Sequence, residues 1–566
     1  MKYTFLSFLF IFIISIGFSQ EIKKENQTKP IKSFWDFHHT QIQSVGSNFV
    51  NELGATDDKH GTWKYYGKTG NLEEVRNYYR GKLNGLTMRY YANEKPAQEG
   101  YFSFDKQDSI SRSWYENGNL KEEGYFALDN PVGVWKHFYP SGLLMMEEHI
   151  DDSINYVDAF FLEDSIQTVT NGNGTTYIYF ATGGLKEKYS YKNGLKNGPF
   201  EEMSVYGYKQ VIGNYIENKK EGKWEFFYYT GVKDKISHYK NDILEGEYVK
   251  YYDNGEVVVK GDYLDGKKEG RWYWYTNKGT VDMEGDFHND QQDGEWKYYY
   301  PTGELSYIAH YSKNVKDGEW HYYYKNGKDF KLYHFKNDVK DGLASTWYEN
   351  GQILLTGNYL NGKEEGVWTN YWEDGKINDK SSFKDGKLNG SWESYYPNGK
   401  PNTFGEYKDG LKTGLWTTYF ENGKPKDQGS YKIIKKKSPI KYGVFKNQIT
   451  LSSEKNGVWS SFSDKDFNLT EEGAFKNGKK EGTWTNYYPG GRVPAVTSQY
   501  KNGKLDGVQR NYDWKSKTVR SEIHYKNGLK DGKFYMFDKK GKKIVEKNFK
   551  EGIEVIETQS PGYFTP

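Results

Sequence analysis

An all-β fold class follows from three observations on the 566-residue chain: a frame of glycine and aromatic residues that recurs 19 times, strand-forming residues between the glycines, and turn pairs at fixed places in every copy. The expected architecture is an elongated repeat array of about 19 antiparallel β-hairpins, 24–25 residues each, forming one long twisted sheet.

The frame is plain in GKWEFFYYTG from Gly222, GEWKYYYPTG from Gly294, GEWHYYYKNG from Gly318 and GLWTTYFENG from Gly414. Counting the opening glycine as position 0, tryptophan falls at position 2, aromatics at 5 and 6, and glycine again at 9. Copies begin at 61, 85, 109, 133, 174, 198, 222, 246, 270, 294, 318, 342, 366, 390, 414, 457, 482, 507 and 532. Position 0 is glycine in 18 of the 19, Ser109 being the exception, and position 2 is tryptophan in 11.

Positions 1 to 7 are rich in Trp, Tyr, Phe and Thr, which suit a pleated surface, and positions 2, 4 and 6 share one face of a strand. Asn-Gly at positions 8 and 9, as in Asn254-Gly255, Asn326-Gly327 and Asn398-Gly399, predicts a type I′ hairpin turn. A second strand ends on an aromatic at position 17, such as Tyr311 or Phe335, and a polar turn containing glycine leads to the next copy. One hairpin is not stable alone in water, so each unit must bury its aromatic face against its neighbours.

Along the chain the expected segments are a signal peptide at 1–19, a polar N-terminal cap at 20–60, repeats at 61–150, an irregular insertion at 151–173 and repeats of 24-residue period at 174–437. A second irregular insertion at 438–456, repeats of 25-residue period at 457–551 and a tail at 552–566 complete it. The leader rests on Lys2, the apolar run from Phe5 to Phe18, and the small residues Gly17 and Ser19 before a cut after Ser19. It predicts export to a periplasmic, outer-surface or extracellular location. The insertion near Phe160 and Phe161 reads as a degenerate strand pair.

Composition narrows the function. With 79 basic and 77 acidic residues the chain has no field to recruit nucleic acid, and with no cysteine it has neither a thiolate nucleophile nor a thiolate metal site. Catalysis needs residues that converge once, whereas a repeat spreads its residues along a line. The adjacent pair His38-His39 reads as solvated rather than as metal ligands, and Asp317, Asp341, Asp506 and Asp531 read as turn formers and lysine partners. The chain is therefore expected to be a non-enzyme with no cofactor and no metal.

The frame resembles the MORN-repeat variant of bacterial proteins, some of them labelled antitoxin components, over residues 61–552. The resemblance implies a stack of β-hairpins and, for the wider family, scaffolding, protein contact or membrane-surface association. Trp at position 2 departs from the eukaryotic MORN pattern, and an export leader departs from an antitoxin role. Choline-binding cell-wall repeats also join Trp, Tyr-Tyr and Gly, but their Trp abuts the Tyr pair and their period is shorter.

The expected function is an exported scaffold contacting another protein, or itself, through an extended sheet surface. The alternative is a cell-envelope binding module for a glycan or lipid surface, with peripheral membrane contact. The aromatic ladder Trp224, Trp272, Trp296, Tyr298, Tyr300, Trp320, Tyr322, Tyr324, Trp368, Trp392 and Trp416 reads first as the glue of the sheet, and any part of it left exposed supplies the binding residues.

Overall fold

A computed structural model of the chain describes residues 28–437 and 449–556. Those residues form 43 β-strands and no helix, so the all-β expectation holds. Two compact units divide at Lys268 and Glu269, inside the strand Lys267–Tyr275. In the first unit, strands from Thr28–Phe34 to Val257–Leu264 pair antiparallel, each with the next in the chain. The second unit repeats the pattern from Lys267–Tyr275 to Ile553–Val555.

Each copy contains two kinds of hairpin turn, and their placement corrects the sequence reading. The Asn-Gly pair does not form a type I′ turn. In the copy from Gly318, the strand Val315–Tyr323 is followed by Asp329–Lys336. Tyr324 donates its N–H to the Lys328 carbonyl at 2.8 Å, and Gly327 donates to the Tyr324 carbonyl at 2.9 Å. Positive φ occurs at Gly327 (79°) and not at Asn326. This is the three-residue loop in which a type I turn ends on a left-handed glycine. Because strand pairing resumes only at Tyr323 and Asp329, the loop is too long for a two-residue turn. Asn326 instead accepts the Lys328 N–H on Oδ1 at 3.0 Å.

The type I′ geometry lies at the other end of the hairpin. Between Leu305–Ser312 and Val315–Tyr323, Lys313 and Asn314 both have positive φ, 51° and 68°. Asn289-Asp290 and Asn337-Asp338 repeat it. Carboxylates just before the opening glycine cap these turns: Asp341 Oδ2 accepts the Asn361 N–H at 3.1 Å and Asp506 Oδ2 accepts that of Asn527 at 3.1 Å.

The opening glycine itself sits in a β-bulge. Ala309 pairs with Trp320 and Tyr311 with Lys316, so His310 alone faces Asp317, Gly318 and Glu319. The bulge needs a left-handed residue, and φ is positive at all 19 opening positions, from Gly61 (71°) to Gly532 (105°). Ser109 adopts the same conformation, φ 78°, with a Cβ that disfavours it.

The irregular segments are also built of strands. Ile154–Phe161 and Gln167–Thr170 form the degenerate strand pair expected in the first insertion, and Val157, Phe160 and Val169 bury a small cluster there. At the second, Pro425–Lys437 and Ile449–Phe462 extend as long paired strands up to Lys437 opposite Ile449. Residues 438–448, the leader at 1–19 and most of the C-terminal tail lie outside the described residues. Ahead of the first copy, Thr28–Phe34 pairs with Ile42–Asn51, which in turn pairs with Gly54–Tyr66.

Ser109→Gly should therefore stabilise its hairpin by about 1 kcal/mol, read as slower amide exchange in Pro96–Ser103 and Lys106–Trp114. Gly294→Ala, whose Cβ would meet no atom within 4 Å, should lose a similar amount from φ alone. Unchanged exchange in both variants would remove the bulge from the account.

Candidate functional site

The feature with binding potential is the row of paired side chains at positions 2 and 15 on one face of the sheet. In the second unit it runs Gly285–Trp296–Ala309–Trp320–Tyr333–Ala344, continuing beyond through Trp368, Trp392 and Trp416. Large and small residues adjoin across it. A Cβ on Gly285 would lie 2.1 Å from the Trp296 ring, so the indole rests flat on a bare backbone. Gly357 carries Trp368 and Gly405 carries Trp416 in the same way, as Gly213 carries Trp224 in the first unit. Where position 2 is Ala344, the partner is the large Tyr333.

In several copies seating the ring on the backbone also satisfies its N–H, whereas Nε1 of Trp135 and Trp224 is buried without a partner. Nε1 donates to the carbonyl of the residue after the small partner: Trp296 to Asp286 at 3.1 Å, Trp320 to His310 at 3.2 Å and Trp368 to Asn358 at 3.2 Å. Aromatics at position 17 meet the ring edge-on, as Phe287 does Trp296 at 5.1 Å and Tyr359 does Trp368 at 5.0 Å. The lysine at position −2 lies over it: Lys316 Nζ is 4.1 Å from the Trp320 centroid and Lys412 Nζ 4.0 Å from that of Trp416. Burial lowers the pKa of Lys412.

Trp224, Trp272 and Trp296 are 1% exposed, and Trp320, Trp368 and Trp416 are buried too. These indoles have no free face for a stacking ligand. Trp392 is half-buried and stacks on Trp416 at 5.7 Å. Tyr298 and Tyr322 are half-buried and stack on opposite sides of Tyr307, at 4.1 and 5.1 Å.

Position 6 leaves this face, contrary to the alternation expected from sequence, because the strands end at position 5. Tyr300 and Tyr324 open the loops and donate their hydroxyls to the carbonyls of Tyr323, at 2.9 Å, and Trp347, at 2.8 Å. They tie each hairpin to the next. Asn398 Nδ2 reaches the Glu421 carbonyl at 2.8 Å and Lys400 Nζ the Asn422 carbonyl at 3.1 Å, so the loop ends form a second ladder.

The opposite face carries charged and polar groups, among them the ion pair of Lys297 with Glu295 at 3.0 Å and His321 beside Asp329 at 2.9 Å. Tyr299 donates to Glu284 Oε1 at 2.8 Å. Burial, reinforced by that carboxylate, pushes the Tyr299 phenol up to about 12, and burial does the same to Tyr307. No group of three or more His, Asp or Glu residues able to hold a metal occurs among the described residues. His39 stacks on Phe34 at 4.6 Å.

Sequence reasoning missed the small residue at position 15 and the lysine at position −2. Their signal was present: Gly213, Gly285, Gly357, Gly405 and Gly473 each precede a tryptophan by eleven residues.

This geometry meets the comparisons with known proteins. Residues 59–78, 107–127, 173–193, 220–241, 244–265, 292–313, 340–361, 364–385, 388–409 and 412–432 match the MORN repeat variant. Through these ten repeats the chain belongs to the MORN-repeat-variant family. No curated protein matches it. Among solved structures it is similar to the crystal structure of TcdB2-TccC3, at 11% identity and a TM-score of 0.13, over 92% of this chain and 30% of that one. It is likewise similar to the Photorhabdus luminescens Tc holotoxin pore, at 10% identity and a TM-score of 0.12, over 91% of this chain and 29% of that one. The chain thus spans under a third of the length of those structures, and scores this low define no shared fold.

Gly285→Ala should cost about 1–3 kcal/mol by driving Cβ into Trp296, and Trp296→Ala about 3–5 kcal/mol, both read as local loss of amide protection in Val281–His288 and Gln291–Tyr299. Tolerance of Gly285→Ala would show that the indole is not seated there. A second outcome concerns pH. Tyr299 and Tyr307 are raised from 10.0 to about 12, so their contribution is complete below pH 10 and is lost as pH rises to 12. The urea midpoint should fall across that interval, and tyrosinate absorbance should develop late. A flat midpoint would contradict it.

Proposed function

We propose that the chain is an exported, non-catalytic scaffold that binds another protein through equivalent contacts repeated along its sheet. The observation that carries this reading is a line of exposed aliphatic side chains directly after the opening glycine: Leu343, Val367, Leu415 and Val458. Each precedes a row position and so faces away from the packed aromatics. Apolar groups held at this place in four of the five hairpins opening at 342, 366, 390, 414 and 457, with Ser391 in the other, offer a partner several weak contacts whose sum is strong. The family's repeat architecture supports the same reading, and the apolar leader at 5–18 supports export.

The envelope-binding alternative draws on that leader and on the half-buried Tyr298 and Tyr322. Cross-linking in the native cell, followed by mass spectrometry, separates the two. The scaffold should give protein cross-links on the Leu343 to Val458 face, and Leu343→Lys with Val367→Lys and Leu415→Lys should reduce them at least tenfold with far-UV circular dichroism unchanged. Recovery with wall or membrane and no protein cross-links would sink the scaffold reading.

A further inference from the structure

In the first unit the row of paired residues between Trp63 and Trp135 runs Arg76–Thr87–Gly100–Ser111–Gly124. Ser111 stands where the frame calls for tryptophan, opposite Gly100, which stands at the seat. A Cβ on Gly124 would lie 2.0 Å from Trp135, as one on Gly285 would lie 2.1 Å from Trp296. On Gly100 the nearest atoms are the Gln107 amide nitrogen at 3.2 Å and a Phe102 ring carbon at 3.4 Å. Here the backbone seat is kept, and the flexible Gln107 amide lies over it in place of an indole of this chain, so a ring seated there displaces that side chain.

The surroundings of a seated ring are kept as well. Phe102 and Phe126 occupy position 17 of adjacent copies, the place from which Tyr311 and Phe335 flank Trp320 at 5.4 and 5.5 Å. A cavity of about 510 Å³ opens between them, within the range of about 300–1,000 Å³ usual for small-ligand sites. Thr87 Oγ1 and Ser113 Oγ on its wall are buried without a hydrogen-bond partner. Buried hydroxyls normally find one. Charge at the rim is balanced, with Arg76, Arg89 and Arg112 against Glu74, Glu99 and Glu122; Arg76 and Arg89 are directed to Glu74 at 2.7 and 3.6 Å and Arg112 to Glu99 at 3.3 Å, so neither an anion nor a cation is selected.

We propose that the Gly100 seat binds a planar aromatic ring of indole size carrying hydrogen-bonding groups, which takes the place of the indole that Ser111 does not supply. The ring lies flat on Gly100 with its edges toward Phe102 and Phe126, and its polar atoms meet Thr87 and Ser113. Its source is a free small molecule or a tryptophan side chain of a partner. This assignment rests on the row alone and stands apart from the scaffold reading.

The test is calorimetric titration of the full chain with indole and, separately, with N-acetyltryptophanamide. Saturable binding of either is expected. Comparable affinities point to a free ligand, and at least tenfold tighter binding of the amide points to a peptide-borne side chain. Ser111→Trp, which restores the chain's own indole, should weaken binding at least tenfold while slowing amide exchange in Lys106–Trp114. Gly100→Val, at a position of ordinary φ, fills the seat from the other strand and should also weaken binding at least tenfold. Absence of saturable binding by wild type, or binding that neither variant changes, would overturn the proposal.

Discussion

A tryptophan laid flat on a glycine of the neighbouring strand is the contact on which the rest of this sheet depends. Strands here contact their neighbours in the chain, so apolar surface has to be buried within a face rather than between layers. An indole standing on a pleated strand would stay wet on both sides. Lowered onto a backbone without Cβ, it buries one side on the peptide plane, donates its N–H to the next carbonyl, and is covered by lysine and edge-on aromatics. The pairing is a constraint on combined volume, which explains why Tyr333 appears where Ala344 has replaced the tryptophan.

That constraint dictates the backbone around it. The bulge at the opening glycine places two extra residues before the tryptophan, and the left-handed conformation is kept even where the residue is Ser109. Bulge and indole form one device: one shifts the register, the other fills the space. Hydroxyls of Tyr300 and Tyr324 and side chains of Asn398 and Lys400 then link the loop ends of successive hairpins, so each copy is held through its face and through its edge.

The same rule gives meaning to its exception. Between Trp63 and Trp135 the row loses its aromatics and is small from Thr87 to Gly124, while its flanking phenylalanines persist. A repeat protein acquires an individual site by omitting one residue from a shared pattern, without adding an element. The line of exposed aliphatics on the other side is a distributed surface, and the two features suit different ligands.

Much of the fold was legible in the chain because a 24-residue period leaves few arrangements: strand residues between glycines, on repeated units, can only be stacked hairpins. The degenerate strand pair at Phe160 was legible for the same reason. The turn types were not, because Asn-Gly suits either a two-residue turn or the end of a three-residue loop, and cross-strand register chooses between them. Nor was the fate of the ladder, since sequence places Trp296, Tyr298 and Tyr300 on alternate positions without saying where the strand stops. Only the tertiary structure decided that the tryptophans are buried and that Tyr300 turns to the next hairpin. Periodicity is a property of one chain segment, whereas burial is a property of two strands in register. The sequence alone therefore determined the unit, and the pairing of units decided which side chains were left to face a partner.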